Sequence, residues 1–211
     1  EALSALAMRA SPLEKVLDMC AAPGSKTTFM AQMMENTGLI VANEPSHSRI
    51  TSLNANLRRI GVANTIITCY SGQNFPKRMR FGKILVDAPC SGEGTWRGPD
   101  ARPKESVEND RRRMTERQSG ILAQALDILE EGGELVYSTC TYAPEENELI
   151  LAPFLERGGL EVLPLGLDLP TREGLCEYKG IKLPEALKNA ARLYPHYFDS
   201  EGFFVARLAK I

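Results

Sequence analysis

The sequence predicts an α/β fold: a doubly wound, mostly parallel sheet with an antiparallel late strand. Three observations carry this reading. Short apolar runs alternate with helix-period stretches between residues 16 and 163, the pattern of repeated strand and helix units. The first apolar run passes into a helix through a turn of small residues, CAAPGS (20–25), and ligands of open parallel sheets sit at such turns. One further strand-like run, GFFVARL (202–208), follows an irregular segment containing Pro170, Pro184 and Pro195. A strand arriving that late commonly pairs antiparallel at or near a sheet edge.

Taken in order, residues 16–19 read as a buried strand and 27–36 as a helix. Residues 39–43 form the second strand, and 46–60 a helix that ends at Gly61, glycine being the residue that most easily takes the left-handed closing position. Strands follow at 65–69 and 83–86. A long helix then runs to Glu131, with Ile121, Leu122, Ala125, Leu126 and Leu129 at core spacing and Gly132-Gly133 as its stop. A strand at 134–137, a helix over 145–157 that Pro153 kinks, and a short strand at 160–163 complete the alternation.

A length of 211 residues with 43% apolar content and 25% charge describes one globular domain with a substantial core, not a disordered chain. The opening segment EALSALAMRASPLEK has no basic start followed by an apolar stretch and a cleavage site, and no run approaches the roughly 18 to 20 apolar residues of a membrane span. A cytoplasmic, monomeric protein without membrane contact is the expectation. Five cysteines with no CxxC pair and no interleaved histidines fit neither a disulfide framework nor a zinc site, so no metal is expected.

Two of those cysteines stand apart. Cys90 in DAPCSGEG (87–94) and Cys140 in STCTYAPEENE (138–148) each close an apolar strand-like run, which places both thiols at one sheet edge. A thiolate is a strong nucleophile, and with an acid and a base beside a cofactor it is enough to activate an otherwise inert ring carbon. The alternative is two packed core cysteines. Cys20, Cys69 and Cys176 read as small core or loop residues.

The turn LDMCAAPGSKT (17–27) marks the cofactor edge. It contains no GxGxxG, and a Walker A loop would need glycines where Cys20 and Ser25 stand. What remains is Asp18 at a strand end, Gly24 in the turn, and Glu44 at the end of the second strand, where a carboxylate suits the two hydroxyls of a ribose. The net charge of −2 does not favour a nucleic-acid partner, so any basic face must be local. Arg97, Arg102, Lys104, Arg111, Arg112, Arg113 and Arg117 supply a candidate, although acidic residues are interspersed and a solvated helix face is the alternative. Trp96 is a candidate for stacking on an unpaired base or for packing its loop onto the domain.

Through LDMCAAPGSKT (17–27), VANE (41–44), ILVDAPCSGEGTWR (84–97), LVYSTCTYAPEENE (135–148) and RLYPHYFDSEGFFVARL (192–208), the chain resembles the catalytic domain of the Sun-family (NSUN-like, Fmu-like) RNA cytosine-5 methyltransferases. The resemblance covers nearly the whole chain. It implies a single S-adenosyl-L-methionine-dependent catalytic domain over 1–211, a tRNA or rRNA substrate, and the absence here of the RNA-binding module that usually precedes it. It further implies that Cys140 is the nucleophile, Cys90 assists product release, Asp87 contacts the cytosine and Lys26 lies near the reacting centre. Cys20, Ala21, Ala22, Pro23, Gly24, Ser25 and Lys26, with Glu44, Ser71 and Asp87, would hold the cofactor. Spacing alone does not separate the two thiols, and a proline-cysteine pair would point to Cys90.

The chemistry accounts for such parts. C5 of cytosine is too poor a nucleophile to take a methyl group from a sulfonium unless a thiolate first adds at C6 while an acid supports N3. A base must then remove the C5 hydrogen before the thiol leaves. Asp87 can serve N3 as a neutral acid or through a shared proton, which predicts burial around it. One departure is Ser71, which stands where this family usually carries an acidic residue for the adenine amino group. A hydroxyl accepts that hydrogen bond without charge assistance. A nucleotide hydrolase and an inert RNA-binding scaffold are the other readings.

Overall fold

The computed structural model describes residues 2–95, 104–197 and 200–211, with the side chains of 104–107 and 110 outside that description. The chain forms two compact units, one of Glu1–Asp87, Gly120–Tyr137 and Lys210, the other of Ala88–Ser119, Ser138–Ala209 and Ile211.

The first unit holds the first five strands. β1 (Lys15–Asp18), β2 (Leu39–Asn43), β3 (Thr65–Thr68), β4 (Phe81–Asp87) and β5 (Leu129–Thr139, which leaves the unit after Tyr137) follow the order β3-β2-β1-β4-β5. β1 pairs parallel with both β2 and β4, and β2 with β3. The order therefore reverses between β1 and β4, and in open α/β sheets the crevice beyond such a reversal receives the ligand. The middles of strands with neighbours on both sides are apolar: Val16, Leu17, Ile40, Val41, Ile84, Leu85 and Val86 are all buried.

Helices α1 (Ala2–Met8), α2 (Ser25–Met33) and α3 (His47–Ile60) belong to this unit. α1 carries no strong periodic signal in sequence and is not predicted. α2 starts two residues earlier and stops three earlier than predicted, because Glu35 and Asn36 both take positive φ. Asn36 is held there by its side chain, which donates to Gly61 O at 3.0 Å and accepts the Ala63 N–H at 2.8 Å. α3 ends at Gly61 as predicted, in the left-handed conformation with φ 78°.

The long helix α4 (Lys104–Ile128) ends before the predicted stop. Leu129 is already strand, and Gly132-Gly133 lie inside β5. Gly132 has φ 72°, and a Cβ on Gly133 would stand 3.0 Å from Gly82 O, so these glycines let β5 run close beside β4.

The second unit contains α5 (Glu148–Glu156), β6 (Leu160–Leu163), β7 (Arg172–Glu173), a β8 (Glu177–Tyr178) and β9 (Ile181–Lys182) hairpin, β10 (Ala191–Leu193) and β11 (Phe203–Lys210). β11 is the predicted late strand and pairs antiparallel with β10. It is not an edge strand, because β10 pairs onward with β7 and β6 also pairs with β11. Two-residue strands such as β7 to β9 are too short for any period to reveal. Arg192 on β10 is buried against Glu148, its Nε donating to Oε1 at 2.6 Å, a bidentate pair that fixes α5 on the strand.

Among the described residues, no helix is long and apolar enough to cross a membrane, and no group of three His, Cys, Asp or Glu residues is placed to hold a metal.

Candidate active site

In the first unit the predicted cofactor residues gather at the carboxyl ends of β1, β2 and β4. Ala21 and Ala22 are buried and pack with Ala42, Leu53 and Leu57. Their side chains therefore face the core, leaving the backbone of the turn to meet a ligand. Gly24 has φ 109°, and a Cβ there would lie 2.9 Å from Leu53 Cδ1, so only glycine allows the turn to seat so closely on α3 before α2 begins. Ser25 and Lys26 open α2, placing the positive end of its dipole at the turn.

Asp18 lies beneath this turn, fully buried, and accepts the Thr27 hydroxyl at 2.7 Å. Burial raises its pKa to about 6, against the lowering effect of Thr27. Glu44 is 1% exposed, with its Oε1 on the Ser46 N–H at 2.9 Å and its Oε2 3.1 Å from the Arg49 guanidinium. Arg49 also donates to Ala22 O, so it ties the carboxylate to the turn. Sequence reasoning missed Arg49, which reads as an ordinary exposed helix residue.

Lys26 and Asp87 meet across the point where the strand order reverses, Nζ to Oδ2 at 2.8 Å. Asp87 keeps 25% of its side chain exposed. Asp87 is therefore only partly buried, with the Lys26 ammonium beside its carboxylate. Ser71 is exposed and donates to Gln73 Oε1 at 2.7 Å, which leaves the oxygen able to accept.

In the second unit the two predicted thiols come together, Cys90 Sγ 3.2 Å from Cys140 Sγ, and neither is in a disulfide. The pKa of Cys90 is pushed up, first by its hydrogen bond to Cys140, then by burial and by the Cys140 charge. Either sulfur can be the donor in this contact, so the pair can share one proton. The loops around them are closely held. Gly94 N–H donates to Cys140 O at 2.9 Å, and a Cβ on Gly94 would meet that oxygen at 2.8 Å. Ser91 Oγ lies 3.1 Å from Thr141 Oγ1.

Of the predicted basic face, Arg112 and Arg113 are exposed, whereas Arg111 is committed internally to Glu93 and Glu145. Trp96, Arg97, Arg102 and the Lys104 side chain lie outside the described residues. Glu146 and Asn147, both 0% exposed, are functional candidates that the sequence does not single out. They sit in STCTYAPEENE (138–148), but in sequence they read as the polar start of a helix.

The family model described as 16S rRNA methyltransferase RsmB/F matches residues 5–209. The human 28S rRNA (cytosine(4447)-C(5))-methyltransferase is 39% identical over 99% of this chain and 26% of its own length. The ribosomal RNA small subunit methyltransferase F of Vibrio cholerae is 40% identical over 99% of this chain and 43% of its own. This chain therefore spans less than half the length of these relatives. A methyltransferase homologue from Pyrococcus horikoshii superposes with TM-score 0.85 at 38% identity, covering 99% of this chain and 66% of that one. NSun6 from the same organism, solved with SFG, gives 0.80 at 30%, covering 99% and 50%. With a family model running through both the β1–α2 turn and the two thiol loops, the chain belongs to the 16S rRNA methyltransferase RsmB/F family.

Proposed function

We propose that this chain is the catalytic part of an enzyme that methylates C5 of a cytosine in ribosomal RNA, with S-adenosyl-L-methionine as methyl donor. The observation that carries the reading is the meeting of the two thiols, Cys90 Sγ 3.2 Å from Cys140 Sγ. Relatives whose names specify rRNA cytosine-C5 methylation support the substrate class. The residues fit the cofactor: a buried carboxylate, Glu44, suits a ribose diol, and the backbone of 20–25 with the start of α2 suits the remaining polar groups. When bound, S-adenosyl-L-methionine supplies an electrophilic methyl group.

The chain's own residues do the rest. Cys140 as thiolate adds to C6, forming a carbon–sulfur bond and pushing electron density toward C5. Lys26, paired with Asp87, supplies the positive charge and proton that support N3 as density builds on the ring. C5 would then take the methyl group that bound S-adenosyl-L-methionine supplies. With Cys140 bonded to carbon, Cys90 gives its proton to solvent, and the resulting thiolate takes the C5 hydrogen as the C6–sulfur bond breaks to return Cys140 as thiolate and the N3 proton returns to Lys26.

Nucleoside mass spectrometry of an rRNA fragment incubated with the chain and S-adenosyl-L-methionine tests the reading. It expects 5-methylcytidine that disappears in Cys140→Ala. Methylation at another base or atom refutes it.

A further inference from the structure

Glu146 and Asn147 enter no step of the proposed reaction, yet both are wholly buried in the second unit. Asn147 Oδ1 accepts the Thr139 hydroxyl at 2.5 Å while its Nδ2 donates to Thr141 O at 3.0 Å. One planar amide thus grips the residue before Cys140 and the residue after it. Glu146 Oε2 accepts the Ser91 N–H at 2.9 Å and a Gln118 Nε2 hydrogen at 2.8 Å, and that same nitrogen lies 2.8 Å from Pro89 O. The residues on either side of Cys90 are therefore gripped as well. The two grips are joined by a single peptide bond.

A second observation separates this from ordinary helix capping. Asn147 is the N-cap residue of α5, a position at which asparagine normally accepts a backbone N–H of the first turn. Here its side chain makes no cap hydrogen bond and turns instead to the Cys140 loop. Glu146 likewise places a carboxylate in the interior, a cost that the Ser91 and Gln118 hydrogen bonds offset. Both side chains are thus committed to the thiol loops rather than to their own helix.

We propose that Glu146 and Asn147 are positioning residues that set the separation of the two thiols. The proposal rests on the reading of Cys140 as the nucleophile. A thiol stabilises a neighbouring thiolate only while the two sulfurs stay in hydrogen-bond contact, so loosening either loop makes the thiols behave alike.

The test uses the chain without RNA or cofactor and follows iodoacetamide alkylation of each cysteine by peptide mass spectrometry across pH. In the wild type the reading of Cys140 as nucleophile expects Cys140 to react first, at a lower pH than Cys90. Asn147→Asp keeps the acceptor for Thr139 but loses the donor that holds Thr141 O, so it releases the grip on one side of Cys140. The proposal expects the Cys140-to-Cys90 rate ratio at pH 7 to fall about tenfold, as for a change of one pH unit in the thiol that ionises. Glu146→Gln keeps an acceptor oxygen for both donors and should hold the ratio within about twofold of wild type. A folded Asn147→Asp with the wild-type ratio, or a tenfold fall in Glu146→Gln, overturns the proposal. Because no RNA is present, a reduced ratio in Asn147→Asp stands even if the wild type fails to methylate cytosine. Methylation with an unchanged ratio sinks the positioning role alone.

Discussion

Replacing Asp18 by asparagine should make the chain more stable at neutral pH and flatten its dependence on pH. Asp18 is fully buried, and burial raises its pKa from the ordinary 3.8 to about 6. In this window the folded state holds a proton that the unfolded state has lost, so stability falls as pH rises from about 4 through about 6. The gap is worth about 3 kcal/mol, at about 1.4 kcal/mol per pH unit. Asp18→Asn would keep the shape and the oxygen that accepts the Thr27 hydroxyl, but the amide never ionises. Urea unfolding of both proteins at intervals from pH 4 to 7 reads the difference directly. The asparagine variant should gain on the wild type by about 3 kcal/mol between those limits. A difference that stays constant across the range, or grows in favour of aspartate, refutes the reasoning.

Glu44→Ala should weaken S-adenosyl-L-methionine binding by about 1.5 to 3 kcal/mol in calorimetric titration, the range for a hydrogen bond to a charged group, and unchanged affinity in a folded variant removes Glu44 from the site. Arg192→Met leaves the Glu148 carboxylate buried without its cation and should lower the unfolding free energy by about 3 to 5 kcal/mol in urea. RNA binding by this chain alone should be weak and fall steeply with salt, and Arg112→Ala with Arg113→Ala should reduce the logarithmic salt slope by about 0.7 for each phosphate that is no longer neutralised. Affinity that is flat from low to physiological salt contradicts a phosphate-led interaction.

The strand and helix alternation was legible because each parallel strand is covered on both faces and so appears as an unbroken apolar run, as in 39–43 and 83–86. Boundaries failed where a backbone conformation, not a period, decided them. Asn36 ends α2 through a side chain that reaches Gly61 and Ala63, and Gly132-Gly133 serve a strand rather than a helix end. The two thiols were legible as a pair at one sheet edge, but their direct contact at 3.2 Å was not, because it depends on how the loops after β4 and β5 are held. Sequence predicts burial around Asp87, whereas Lys26 provides a cation at 2.8 Å that only the β1 to β4 adjacency brings there. Arg49, Glu146 and Asn147 escaped because each acts on backbone atoms far away in sequence or across a loop, and such interactions leave no mark on composition or period.

The division of labour between the thiols is the centre of the account, and trapping the covalent intermediate tests it most directly. Each single cysteine variant is incubated with an rRNA fragment and S-adenosyl-L-methionine and run on a denaturing gel, with the shifted band identified by mass spectrometry. Cys90→Ala should accumulate an RNA–protein adduct through Cys140, because the bond to C6 forms and its release stalls. Cys140→Ala should give neither adduct nor 5-methylcytidine. An adduct that forms in Cys140→Ala through Cys90, with none in Cys90→Ala, would reverse the roles assigned to the two sulfurs.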